Sequence, residues 1–177
     1  SLTIILQSYK NLYVDQNTKI LSEVNLTPAK ITLDGVPITG TLDLIKINEL
    51  DKTIEIFDYK TGKFKDKNWT SEPSLLKYQQ QLIFYKILLN LSPTFSKYTI
   101  TNGHLLFITP DEELKIHQKT YEYTEKDESD TKNLIKKIYQ LVSSLTFLDR
   151  PELMIAPNKT ASASDVKKFI KKILDVS

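Results

Sequence analysis

Apolar and polar positions alternate along most of the stretch from residue 19 to residue 59, which is the period of half-buried strands. Residues 19–26 and 28–34 read as extended segments separated at Pro28, and Asp34-Gly35 is a reverse-turn signal. The extended pattern resumes from Val36 to Ile47, with Gly40 inside it marking a bulge or a close backbone approach. Asn48 to Asp51 supplies the next turn, and residues 53–59 form another strand, so this part predicts a meander of three strands. Residues 61–73 are polar and hold Gly62, Trp69 and Pro73, which predicts a loop. The period then changes: Leu75, Tyr78, Leu82, Tyr85 and Leu89 recur at three- and four-residue steps, predicting a helix capped by Ser74 and running to about Asn90. Residues 98–109 and 114–123 read as two more strands around Pro110-Asp111-Glu112. Leu134, Ile138, Leu141, Val142 and Leu145 mark a second amphipathic helix, followed by a loop broken at Pro151 and Pro157. A terminal helix starts at Ser164 or Asp165, with Val166, Phe169, Ile170 and Ile173 on one side and lysines 167, 168, 171 and 172 mostly on the other. Residues 1–14 fit a helix or a strand equally.

A chain of 177 residues is the size of one domain, so residues 1–177 are expected to fold as a single unit around one core. Cysteine is absent, which excludes disulfides, thiolate zinc sites and a cysteine-ligated iron–sulfur cluster, and suits a reducing, cytoplasmic setting. No apolar run reaches the roughly 18 residues of a spanning helix, and no membrane partner is expected. The start, Ser1-Leu-Thr-Ile-Ile-Leu6, lacks the basic n-region of a signal peptide and reads as the cut edge of a longer polypeptide. With 24 basic against 22 acidic side chains, net charge is silent about nucleic acid.

The chemistry concentrates in the predicted hairpin. A turn centred between Leu50 and Asp51 sets Asp43 opposite Asp58, because both lie equally far from that midpoint. Alternation then puts Asp43, Ile45 and Ile47 on one face, with Ile54, Ile56, Asp58 and Lys60 in the facing row. Apolar residues fill the closed end and charged ones the open end. Two carboxylates opposed across a ladder repel unless a cation compensates them. A hard divalent ion, Mg²⁺ or Mn²⁺, would accept Asp43, Asp58, a backbone carbonyl such as that of Tyr59, and waters. Lys60 can then hold an attacking water or offset charge developing on a phosphate. On the helix that follows, Gln81 and Tyr85 lie one turn apart, and the glutamine can both donate and accept hydrogen bonds.

Gly40-Thr-Leu-Asp43, Asp58-Tyr-Lys60-Thr-Gly62 and Gln81-Leu-Ile-Phe-Tyr85 together resemble the G-x-x-D, D-x-K and Q-x-x-x-Y segments of the RecB-like branch of the PD-(D/E)XK nuclease superfamily, found in recombination helicases and Cas4-type proteins. The resemblance covers about residues 20–125. It implies an α/β, restriction-endonuclease-like fold, with a central mixed sheet flanked by helices. It implies metal and catalytic roles for Asp43, Asp58 and Lys60, and supporting or DNA-contacting roles for Gln81 and Tyr85. Glu23 would match the branch's upstream glutamate and join the metal ligands. The implied activity is metal-dependent hydrolysis of DNA, on single strands or duplex ends, beside a helicase domain or subunit in repair and recombination. Its rivals are a non-catalytic DNA-binding or scaffolding module and an RNA nuclease of the same chemistry. One departure stands out: the branch commonly carries an upstream histidine, whereas His104 and His117 lie far downstream.

Neither histidine is a good candidate ligand. His117 sits in an alternating strand as a surface residue, and His104 beside Gly103 reads as structural. Trp69 and Phe64, with Lys63, Lys65 and Lys67, would make a basic and aromatic lip able to stack a base, although lysine-rich loops are also ordinary solvated surface. The terminal-helix lysines follow a polar face and read as a solubility feature.

Overall fold

The computed structural model describes residues 16–64, 66–69, 71–145 and 162–175. The unassigned start at 1–14 and the loop holding Pro151 and Pro157 lie outside them. Strands β1 (Thr18–Asn25), β4 (Thr41–Asn48), β5 (Thr53–Lys60), β6 (Thr99–Phe107) and β7 (His117–Glu122) form one sheet in the order β1-β4-β5-β6-β7. β5 and β6 run parallel and the other neighbours antiparallel, so the sheet is mixed, as expected. A parallel pair needs a long crossover. Helix α1 (Pro73–Leu91) supplies it, lying against one face and burying Leu82, Ile87 and Leu88 against Ile45, Ile47, Ile54, Ile56 and Leu105. Helix α2 (Glu125–Ser143) packs on α1, and helix α3 (Ala163–Leu174) on both. Among the described residues no helix is long and apolar enough to cross a membrane.

The β4–β5 hairpin has the predicted register, with Leu44 across from Phe57 and Ile47 across from Ile54. Its turn is held by Asn48, whose Oδ1 accepts from the N–H groups of Leu50 and Asp51 and whose Nδ2 donates to Asp51.

The stretch from Val36 to Ile47, however, is not one strand. Thr32–Leu33 (β2) and Val36–Pro37 (β3) pair as a separate two-stranded hairpin, and the chain breaks before β4. Asp34 and Gly35 both have positive φ (49° and 86°), the requirement of a tight two-residue hairpin turn. Pro37 has no N–H to continue a ladder, and Gly40 lets the chain pass under α1: a Cβ there would lie 2.9 Å from Leu88 Cδ1.

Helix boundaries also move. α1 starts at Pro73 rather than under a Ser74 cap, with proline at the first position where its missing N–H costs nothing. α3 is capped by Ser162 in a reciprocal box with Asp165, and its lysines 167, 168, 171 and 172 face solvent as expected. Of the expected apolar stripe, Leu141 on α2 is buried, while Ile138 and Val142 on the helix and Leu145 beyond its end remain 42–58% exposed.

On the face of the sheet away from α1, Leu44, Phe57 and Leu106 cluster, and buried His104 stacks on Phe57. Its ring nitrogens meet Thr120 and Glu55, which holds the Glu55 carboxyl below its ordinary range. His104 is thereby structural.

Gly103 on β6 sets how closely α1 sits. A Cβ at this position would meet the Tyr123 hydroxyl at 2.5 Å and Leu82 atoms at 3.1 and 3.2 Å. Gly103→Ala is therefore expected to destabilise the fold by about 1–3 kcal/mol, read as a lower melting temperature. Gly62→Ala, where added atoms meet open space, is the control expected to melt like the parent. Equal melting of both variants would mean that the α1–sheet contact is looser than described.

Candidate active site

The site forms at the open end of the β4–β5 hairpin, beneath α1. One step beyond the last ladder pair, Leu44 with Phe57, the register brings Asp43 opposite Asp58. There the Asp43 side chain replaces the ladder: its Oδ2 accepts from the Tyr59 N–H at 2.8 Å. Tyr59 contributes this main-chain contact, and the residue as a whole is 37% exposed.

Asp58 is only 2% exposed, and its Oδ2 meets the Lys60 ammonium as an ion pair. Burial pushes the Asp58 carboxyl above its usual range; Lys60 opposes this and Asp43 adds to it. The same Oδ2 has no hydrogen-bond partner of good geometry. A buried carboxylate whose Oδ2 meets only the Lys60 ammonium, beside a second carboxylate, is a donor set that fits a hard divalent cation, which would offset the repulsion. Asp43 and Asp58 are the side chains placed to hold it.

Helix α1 completes the arrangement. Tyr78, Gln81 and Tyr85 fall on one stripe at three- and four-residue steps. Lys60 Nζ donates to Gln81 Oε1 at 2.8 Å, and Gln81 Nε2 donates to the Tyr85 hydroxyl at 2.7 Å. Burial raises the Tyr85 phenol, with Asp58 and Asp43 adding to that rise. The lysine, which can only donate, fixes which end of the glutamine amide faces it, and the tyrosine hydroxyl accepts from the other end.

Tyr78 escaped the sequence reading as a site residue. Its ring lies 4.1 Å beneath the Lys60 ammonium. A tyrosine on an apolar stripe reads as core, and the one available signal was its position one turn before Gln81.

Glu23 stands across from Asp43 by register, between the pairs Ser22–Leu44 and Val24–Leu42, but its backbone is left-handed (φ 50°) and interrupts the ladder. Among the described residues no three acidic or histidine side chains gather into a ligating group, so Glu23 is not drawn in with Asp43 and Asp58. The expected aromatic lip is not a single surface either. Trp69 packs edge-on against Tyr121 with Lys119 over its ring, while Phe64 lies against Phe107 and His117. Lys65 lies outside the described residues. His117 is half-buried rather than a surface residue, stacked on Phe64 and bonded to Asp111 at 2.7 Å.

Comparison with curated proteins returns no match. A family model described as the PD-(D/E)XK nuclease superfamily matches residues 4–164, a span that takes in the acidic hairpin, α1 and all five strands of the main sheet. On that match the chain belongs to the PD-(D/E)XK nuclease superfamily.

Proposed function

We propose that this chain is a Mg²⁺- or Mn²⁺-dependent deoxyribonuclease of the RecB-like branch, cutting phosphodiester bonds exonucleolytically in single-stranded DNA or at duplex ends. The observation that carries the reading is the run of contacts Asp58–Lys60–Gln81–Tyr85, laid beside Asp43 at the open end of the β4–β5 hairpin. Asp43 and Asp58, with the Tyr59 carbonyl, are the groups that would hold the ion. Glu23 is the candidate third carboxylate, because register sets it across from Asp43 and a strained backbone is a feature that clusters at functional sites. When bound, the ion supplies an acidified water and polarises a phosphoryl oxygen. Lys60 directs an N–H toward the phosphate and offsets the charge that grows as the P–O bond breaks. Gln81 steadies the ammonium through its amide oxygen, and Tyr85 accepts from the amide nitrogen.

The RecB-like assignment, and with it a single domain working beside a helicase domain or subunit in cytoplasmic repair and recombination, rests on the resemblance of the three motif segments. A second reading, a DNA-binding or scaffolding module that no longer cuts, is favoured by the lack of a three-ligand group among the described residues.

Labelled single-stranded and duplex DNA incubated with the protein should be degraded from the ends with Mg²⁺ or Mn²⁺ and survive in EDTA. Intact DNA under every metal condition, with a folded protein, would favour the non-cutting module.

A further inference from the structure

We infer that the hollow beside Phe64 and His117 is a nucleotide subsite, seating one unpaired base of the strand whose phosphodiester lies at Asp43, Asp58 and Lys60. The inference rests on the nuclease reading above and specifies its substrate as a single strand.

The sheet register places the hollow. Lys60 pairs with Phe107, and Phe107 pairs with His117, so the three share one row and one face. His117 is thus two strand spacings from Lys60, about 10 Å along the row, a distance that a short stretch of single strand can cover. The segment leaving Lys60 is tied to the far side of the hollow. The Ile108 N–H donates to the Lys60 carbonyl at 2.9 Å, and Thr109 Oγ1 donates to the Thr61 carbonyl at 2.6 Å.

The wall is aromatic and fixed in advance. Phe64 and His117 stack with centroids 4.4 Å apart and planes 6° from parallel, and Phe64 meets Phe107 edge-on at 5.4 Å. Asp111, itself on the lining, holds the imidazole through its Oδ2, while its Oδ1 accepts from the N–H groups of Glu113 and Lys115. The resulting cavity measures about 520 Å³, enough for a base and its sugar, and Lys63 also lines it.

The chemistry of the lining decides among ligands. Of its three acidic groups, Asp111 is engaged by His117 and backbone N–H groups and Glu113 pairs with Lys115, which answers two of the negative charges internally, while Glu112 is exposed to solvent. A flat π wall beside an exposed lysine matches a base and its phosphate. Because every base presents a π face, the subsite should tolerate all four. A base held in a duplex is stacked and paired on both sides, so entry requires a single strand.

The test is an oligonucleotide series carrying one abasic position at a time, measured as metal-dependent cutting and, in EDTA, as binding by fluorescence anisotropy. For the parent protein, a missing base near the cut should weaken both readouts about tenfold, the effect of losing one stacked base. Phe64→Leu, which keeps apolar packing on Phe107, should weaken the intact strand by a similar factor and show no further loss with the abasic strand. His117→Ala, in a protein whose melting is checked, should behave alike. Equal abasic penalties in parent and variants, or none at any position, would overturn the subsite. Abasic-sensitive binding without cutting would retain the subsite and reject the nuclease reading; cutting without base sensitivity would do the reverse.

Discussion

Asp58→Asn and Lys60→Ala are each expected to lower metal-dependent cutting by about a thousandfold or more, and to move stability in different directions. The asparagine substitution removes a carboxylate that burial disfavours, yet keeps an oxygen to accept from Lys60. The Asp58→Asn protein should therefore melt at or above the parent temperature while losing the charge that would hold the ion. Lys60→Ala instead leaves Asp58 buried at 2% exposure without its cationic partner. Losing one member of a buried pair costs about 3–5 kcal/mol, so this variant should be clearly less stable. The double variant, with neither charge, should regain much of that loss and remain inactive. Kinetics on labelled DNA and thermal melts of all four proteins check the scheme. Retention of more than a tenth of parental activity by Asp58→Asn would remove this residue from the proposed mechanism.

Such contrasts were partly visible in the amino-acid order. The hairpin that opposes Asp43 to Asp58 could be read because its register is set locally: the chain reverses over Asn48 to Asp51, and one extra residue would turn Ile45, Ile47, Ile54 and Ile56 away from the core. Gly40 likewise marked a close approach, although its partner, Leu88, could not be named from alternation. Features fixed by distant segments stayed hidden. Val36–Pro37 carries strand-like residues, but what it pairs with is Thr32–Leu33, and the break that follows depends on α1 lying overhead. Trp69 read as an open loop aromatic because nothing in its neighbourhood shows that Tyr121 will stand beside it. The left-handed turn at Glu23 belongs to the same class: a strand pattern specifies which face a residue takes, not where its backbone departs from the ladder. Tyr78 combines the two cases, since the helix stripe was legible and the charge placed against it was not.

That placement gives the second large expectation. Tyr78→Leu should lower kcat by about tenfold or more with little change in KM, whereas Tyr78→Phe should keep near-parental rates. The Lys60 ammonium meets three groups: Asp58, the Gln81 amide oxygen and the face of Tyr78 at 4.1 Å. A cation over a ring in a water-poor site gains about 2 kcal/mol, which corresponds to some thirtyfold in rate if all of it serves to aim the lysine. Leucine preserves apolar volume but offers no quadrupole, so the ammonium would be held by two partners and would sample more positions around the phosphate. Substrate binding depends on other groups along the strand, which is why the loss should fall on kcat. Phenylalanine retains the ring and loses the hydroxyl, and so separates the two functions of the side chain. Proton NMR gives a reading independent of turnover: the Lys60 side-chain methylene signals should be shifted upfield by the ring in the parent and in Tyr78→Phe, and return toward ordinary values in Tyr78→Leu. A Tyr78→Phe protein as slow as Tyr78→Leu, with the upfield shift intact, would assign the effect to the hydroxyl and remove the ring face from the account. Parental rates in all three proteins would show that Asp58 and Gln81 suffice to aim Lys60.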